Sequence, residues 1–165
     1  MHISDQNRLE NRSRVLQLAA IDMEQTIEAA RAIEREIKMQ AQGQGQSWQF
    51  TRALETAVAV CYWRPFTRSS TMGALDPTGD SPPEHGLCEL HWSLESMRNE
   101  VYAHTDKSSG RDAAIRAGDE GFALLESWKP LPPHWLPSII ALAEAQRDRF
   151  RAEAFEIERK LGRLA

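Results

Sequence analysis

The amino-acid sequence predicts an all-α fold, a bundle of four to five helices in which the N- and C-terminal helices are the longest. Apolar residues recur at helical spacing through long segments at both ends of the chain. Only residues 111–128 leave a choice, because their pattern fits a small hairpin as well as a short helix. The 165 residues are enough to bury a core, and we expect one domain over residues 1–165.

The first helix is predicted from about residue 5 to residue 42. Its apolar residues repeat every seven positions, with a second set between them, and form one stripe: Leu9, Leu16, Ala20, Met23, Ile27, Ala30 and Ile37. Ser4 or Asp5 is suited to cap its start. The glutamine- and glycine-rich residues 40–46 are expected to end it, because glycine disfavours helix.

A second helix is predicted from Ser47 to about Trp63, with Pro65 as its stop. The residues expected on its buried side are Phe50, Leu54, Ala57, Val58 and Cys61. Residues 69–86 are rich in serine, threonine, glycine, proline and aspartate and show no periodicity. We expect a flexible loop there.

A third helix is predicted from about residue 87 towards residue 104. Its core stripe is Leu87, Leu90, Leu94, Met97 and Val101, and a second strip beside it carries His91, Glu95, Arg98 and Tyr102. If residues 111–128 form a hairpin, Gly118 and Gly121 lie at its turn.

The last helix is predicted to begin near Leu136 or Pro137, because proline is tolerated in a first helical turn. Its apolar stripe is Leu136, Ile140, Ala143, Phe150, Ala154, Ile157, Leu161 and Leu164.

Composition narrows the class of protein. The net charge of -4 argues against broad, sequence-independent binding to nucleic acid, although a local site needs only a few cations. No apolar run approaches the roughly 18 residues of a membrane-spanning helix, and the first residues lack the apolar core of a signal peptide. Two cysteines do not form a disulfide framework, so we expect a cytoplasmic protein. No sequence motif indicates a cofactor, so we predict none.

The chemistry of the chain is concentrated in residues 98–106, at the end of the third predicted helix. Arg98 is a permanent cation whose planar guanidinium fits a phosphate. His104 is able to give or take a proton near neutral pH. With the polar Asn99 between them, these residues supply what phosphodiester cleavage without a metal requires. In an unbroken helix Arg98 and His104 would point a third of a turn apart, so we expect an irregular helix end or a pairing across a dimer.

The spacing Arg98-x5-His104 resembles the R-x4-6-H motif of the HEPN superfamily, a group of small helical proteins that includes many prokaryotic ribonucleases and toxins. The polar residue that the family favours directly follows the arginine. The sequence Ala-His-Thr-Asp at residues 103–106 looks most like the abortive-infection branch.

The resemblance implies a metal-independent endoribonuclease of a defence or toxin–antitoxin system, acting on RNA as a homodimer whose two motifs line one cleft. Arg98 would stabilise the transition state, His104 would act as general acid or base, and Asn99 would orient the phosphate or the histidine. Glu95, Tyr102 and Asp106 would support them. Asp106 stands where one subgroup has a tyrosine that its partner antitoxin modifies, which argues against that class of antitoxin.

Other interpretations of the same residues remain open. Arg98 would be a surface arginine paired with Glu95 one turn earlier, and His104 a histidine at a helix end. The chain would then be a non-catalytic helical dimer that binds RNA, senses a signal or acts as a scaffold, or a helical protein unrelated to the family.

Two further clusters are ambiguous. Residues 61–68 combine aromatic and basic side chains, which either bind RNA through Arg64 and Arg68 with stacked bases or form a packed aromatic corner with solvated arginines. His85, Cys88 and His91 have the spacing of zinc ligands, but a fourth ligand is missing, so we predict no metal site.

Overall fold

The computed structural model describes six stretches of the chain: residues 3–68, 73–80, 85–102, 112–118, 121–127 and 130–164. Four helices form the bundle: α1 (Ile3–Ala41), α2 (Trp48–Trp63), α3 (His85–Ser96) and α4 (Leu136–Lys160). Helix α1 packs along α4 and against α2, and α3 packs between α2 and α4. The predicted all-α bundle with long terminal helices is confirmed.

A two-stranded antiparallel hairpin stands between α3 and α4. Strand β1 (Asp112–Gly118) pairs with β2 (Gly121–Ser127), and the two glycines face each other beside the turn. The hairpin is therefore the correct alternative for this region.

The contact between α1 and α4 contributes most of the core. The predicted stripe of α1 is buried from Leu16 to Ala30 and meets the buried residues of α4. The helices run antiparallel, as ion pairs along their edges show: Arg31 binds Glu144 at 2.8 Å, and Arg163 binds Glu10 at 2.6 Å. We call this contact the α1–α4 seam.

Both long helices end at a glycine. Gly43 and Gly162 have φ values of 71° and 70°, which residues with a side chain rarely adopt. After α4, the amide of Gly162 donates to the carbonyl of Arg159, and that of Arg163 donates to Glu158. This Schellman pattern satisfies the last carbonyls of the helix and turns the chain back on itself. At the other end, helix α1 already includes Ile3, so Ser4 and Asp5 lie inside the helix and are not its caps.

Two side chains assigned to apolar stripes are exposed, Phe50 and Leu164. Leu164 is 40% exposed, because α4 ends at Lys160 and does not carry the predicted stripe that far. The structure leaves Phe50 45% exposed, because it lies in the first turn of α2, whereas the buried residues of that helix begin at Glu55. No helix among the described residues is long and apolar enough to cross a membrane.

The described middle of the predicted flexible loop, residues 73–80, is tied to the bundle. It has neither helix nor strand, but Leu75 is buried in the core. The buried Asp80 accepts a fork of hydrogen bonds from Arg12 of α1, at 2.9 and 3.3 Å. Its backbone carbonyl accepts a bond from Gln146 of α4 at 3.1 Å and another from Arg149. One loop residue thus links both partners of the α1–α4 seam.

His91 was expected beside the core stripe of α3, and that placement is wrong. Its side chain is 0% exposed and shares a 2.7 Å hydrogen bond with the Tyr62 hydroxyl through Nδ1. Trp63 and Phe66 pack on the ring, with centroids 4.6 and 5.0 Å away. The aromatic end of α2 therefore surrounds this histidine, which fastens α3 to α2.

Replacing Asp80 with alanine should lower the free energy of unfolding by about 1–3 kcal/mol, because Arg12 and the backbone amide of Asp76 lose a buried acceptor. Urea denaturation measures this effect. Asp148→Ala is the matched control, since the Asp148 side chain is 65% exposed and binds only its neighbour Arg147 among the described residues. Equal stability of the two variants would contradict the role of Asp80.

Stability should also fall in acid because of His91. Burial lowers the pKa of His91 from 6.5 to about 4. The backbone carbonyl of Pro77 partly opposes this shift, and the positive charge of Arg149 adds to it. Between these two pH values, His91 is protonated in the unfolded chain and neutral in the folded chain. The stabilisation is complete above pH 6.5 and is lost as the pH falls towards 4, by about 3 kcal/mol in total.

Urea unfolding of the wild type and of His91→Gln, measured at several pH values between 7.5 and 4, tests this prediction. The variant has no group to titrate at this position, so its stability should depend less steeply on pH. Identical slopes for the two proteins would contradict the assignment.

Candidate functional site

Two of the candidate catalytic residues, Arg98 and Asn99, lie in a wide turn at the end of α3. The α-helix ends at Ser96, and Met97–Tyr102 continue as a π-helical turn. This agrees with the expectation of an irregular helix end before His104. The turn packs against α2. Wide turns of this kind are rare and occur frequently at functional sites.

Arg98 and Asn99 are brought together within this turn. The guanidinium Nη1 of Arg98 donates a 2.7 Å hydrogen bond to the amide oxygen of Asn99, and both side chains are half-buried. Within the described stretches neither Nη2 of Arg98 nor the amide nitrogen of Asn99 has a hydrogen-bond partner, so both are able to donate to an anion. Two donor groups therefore stand side by side on one turn.

The structure does not pair Arg98 with Glu95. Within the described residues no carboxylate lies within ion-pairing distance of the Arg98 guanidinium, and Glu95 is half-buried one turn earlier. The interpretation of Arg98 as one half of a surface ion pair with Glu95 is therefore wrong. Among the described groups, the guanidinium of Arg98 has only the neutral amide oxygen of Asn99 as a partner, and no anion neutralises its charge.

The remaining predicted members of this site lie outside the described side chains. His104 and Asp106 fall within residues 103–111, and for Tyr102 only the backbone is described. Their roles, and the separation of Arg98 and His104, stay predictions.

The aromatic residues of the second candidate cluster are part of the core. Tyr62, Trp63 and Phe66 are buried around His91, so they are not available to stack on bases. The aromatic residues of 61–68 therefore form the packed corner, and RNA binding by Arg64 and Arg68 stays a prediction. The corner forms because α2 passes into a short 3₁₀ turn, Arg64–Phe66, whose proline and phenylalanine face inwards.

The two arginines of the cluster stay at the surface and share a pocket. Arg64 and Arg68 line a cavity of about 330 Å³ between α1 and the end of α2, and Asp22 lies at its edge. Arg64 donates to the Asp22 carboxylate at 2.7 Å. Arg68 has no carboxylate partner among the described residues. Val15, Leu18, Ala19 and Pro65 give the pocket an apolar wall.

Asp22 is a site residue that the sequence interpretation overlooked. Burial raises the pKa of Asp22, and the ion pair with Arg64 opposes this rise. The available signal was its position, because Asp22 lies between Ala19 and Met23 on the buried side of α1. A charged residue on a buried stripe requires a partner.

The described cysteine and histidine residues do not suggest nucleophilic or metal chemistry. Burial raises the pKa of the Cys61 thiol, and the charge of Arg64 only partly opposes this, which disfavours the reactive thiolate. His91 uses Nδ1 to bind Tyr62. No group of three or more histidine, cysteine, aspartate or glutamate side chains within the described stretches is placed to hold a metal ion.

Comparisons with protein-family models, curated proteins and solved structures find no match to this chain.

Proposed function

We propose that the protein is a metal-independent endoribonuclease of the HEPN type. The observation that supports this best is the Arg98–Asn99 pair in the π-helical turn, where the guanidinium has no described carboxylate to neutralise it. A cation held beside a neutral hydrogen-bonding group suits a phosphate, which needs both charge and directed donors.

The reaction follows from the chemistry of these groups. A base removes the proton of an RNA 2′-hydroxyl, and the oxygen attacks the adjacent phosphorus. The bond from phosphorus to the 5′-oxygen then breaks, and an acid protonates the leaving oxygen. The products carry a 2′,3′-cyclic phosphate and a 5′-hydroxyl, and the step consumes neither water nor a metal ion.

Each residue has one role in this proposal. His104 transfers protons as base or acid, and a homodimer with a composite cleft supplies one such histidine for each transfer. Arg98 binds the phosphate oxygens, on which negative charge builds up in the transition state. Asn99 holds the guanidinium in place. Glu95, Tyr102 and Asp106 support this arrangement around the turn.

The pocket beside Arg68 provides a second contact with RNA. Its apolar wall suits the face of a base, and the Arg68 guanidinium, which no carboxylate of the described stretches neutralises, suits a backbone phosphate. The Asp22 carboxylate reduces the net charge that Arg64 contributes. Affinity at this pocket therefore depends mainly on Arg68.

The biological setting in this proposal rests on the family resemblance. It places the enzyme in a prokaryotic defence or toxin–antitoxin system, with an antitoxin or another defence protein as its partner.

A non-catalytic helical dimer, acting as RNA-binding, sensor or scaffold protein, is the second candidate. The observation that favours it is an exposed apolar groove on the α1–α4 seam, lined by Ile21 and Phe155, which is typical of a surface for a protein partner.

Purified protein should cut single-stranded RNA in the presence of EDTA, and Arg98→Ala and His104→Ala should each lose about 10²–10⁴ in rate. Arg98→Lys keeps the charge but loses the planar fork of donors, so it should retain an intermediate rate. Gel analysis of labelled RNA measures these rates.

Arg35→Ala is the control for these variants, because Arg35 is an exposed arginine of α1 outside both candidate sites. It should cut at the wild-type rate. Equal cleavage by all variants would indicate a contaminating nuclease and contradict the proposal. Absence of cleavage by every folded protein would favour the non-catalytic candidate.

Arg68→Ala should weaken binding of single-stranded RNA several-fold. It should also reduce the slope of the logarithm of the binding constant against the logarithm of the salt concentration by about one. Asp22→Asn should act in the opposite direction, because it removes the anion that neutralises Arg64. Fluorescence anisotropy at several salt concentrations measures both. Arg159→Ala, an exposed arginine near the end of α4, should leave affinity unchanged. Equal losses for Arg68→Ala and Arg159→Ala would contradict a specific role for the pocket.

A further inference from the structure

The α1–α4 seam carries an exposed apolar groove that no described element covers. The groove has a volume of about 370 Å³ and is lined by residues of α1, of α4 and of the turn that follows α4. Ile21 and Phe155 are each 52% exposed beside it, and Leu164 is 40% exposed. Exposure of large apolar side chains to water is unfavourable, and contiguous patches of them mark interaction surfaces.

The groove and the side chains beside it are complementary to each other. Its floor includes Ala20 and Ala154, two small residues buried in the seam, which leave space between the helices. Phe155 projects from α4 immediately next to this space. One surface thus contains a large projecting side chain and a hollow that accepts one. A contact related by two-fold symmetry requires both on the same surface.

The turn after α4 is shaped to complete the groove. Gly162 adopts a φ of 70° and reverses the chain through the Schellman hydrogen bonds. This reversal brings Leu164 back to the groove, which it lines together with Phe155. The last described residues therefore contribute apolar surface at the seam.

The charges around Phe155 are also self-complementary. Arg151 precedes Phe155 by about one helical turn, Glu158 follows it by about one turn, and both line the groove. When two α4 helices cross antiparallel at Phe155, each Arg151 lies near the partner's Glu158. Contacts within the chain hold both side chains at the rim, because Arg151 binds Glu24 and Glu158 binds Arg163. A parallel crossing would instead place like charges together.

We propose that a second copy of this chain docks on the groove, with two α4 helices antiparallel and each Phe155 inserted into the partner's groove. The groove includes neither Arg98 nor Asn99, so this contact is separate from the one that would unite two motifs in a composite cleft. The proposal rests on the exposed surface of the seam and not on RNA cleavage.

Cross-linking of the full chain tests the geometry. Phe155→Cys should form a covalent dimer with a short bismaleimide, because the two-fold axis passes close to this position. Phe50→Cys is the matched control, since Phe50 is a similarly exposed phenylalanine on α2, away from the groove. Wild-type protein treated in the same way measures any cross-linking through the native Cys61 and Cys88.

A covalent dimer for Phe155→Cys at low micromolar protein, with none for the control or the wild type, would support the proposal. Equal yields for the two cysteine variants would overturn it.

Sedimentation velocity over a range of protein concentrations gives an independent readout. Phe155→Glu should raise the dimer dissociation constant at least tenfold, whereas Phe50→Glu should leave it unchanged. Circular dichroism checks that both variants remain helical.

A wild type that stays monomeric at all concentrations would overturn the proposal, and so would a dimer that Phe155→Glu does not weaken. A dimer that Phe155→Glu does not weaken leaves the ribonuclease proposal standing, because two motifs can then unite through another contact. A monomeric wild type would also exclude the composite cleft, whereas RNA cleavage by Arg98 and His104 is measured separately.

Discussion

The antiparallel packing of α1 against α4 is the contact on which the remaining structure depends. Its buried stripe forms most of the core, and its edges are joined by ion pairs from Glu10 to Arg163 and from Arg31 to Glu144. Apolar burial supplies the stabilisation, whereas exposed ion pairs add little individually and mainly set the register. Asp80 adds a loop contact that bridges both helices.

A second contact, between α3 and α2, positions the candidate site. Helix α3 does not share the seam but is fastened to α2 through His91 and its aromatic neighbours. The π-helical turn that holds Arg98 begins directly after this anchored segment. A rigid, buried histidine thus supports the helix from which a cationic residue projects, and this arrangement positions a functional side chain well.

The parts of this fold that periodicity controls could be predicted from the sequence. The heptad spacing of α1, the glycine that ends it and the start of α4 near Leu136 were all visible, because each depends on local pattern. Phe50 and His91 were misplaced because burial at those positions depends on which helix lies opposite. The Arg64–Asp22 pair likewise joins residues 42 positions apart, which no local pattern reveals.

We propose that Arg98 and His104 cut RNA through the 2′-hydroxyl of the ribose. The most direct test compares an RNA oligonucleotide with the same oligonucleotide carrying 2′-deoxyribose at every position, incubated with the protein in EDTA and analysed by mass spectrometry. Only the RNA should be cut, and its fragments should end in a 2′,3′-cyclic phosphate and a 5′-hydroxyl. Cleavage of the deoxy strand, or fragments with a 5′-phosphate, would contradict the proposal.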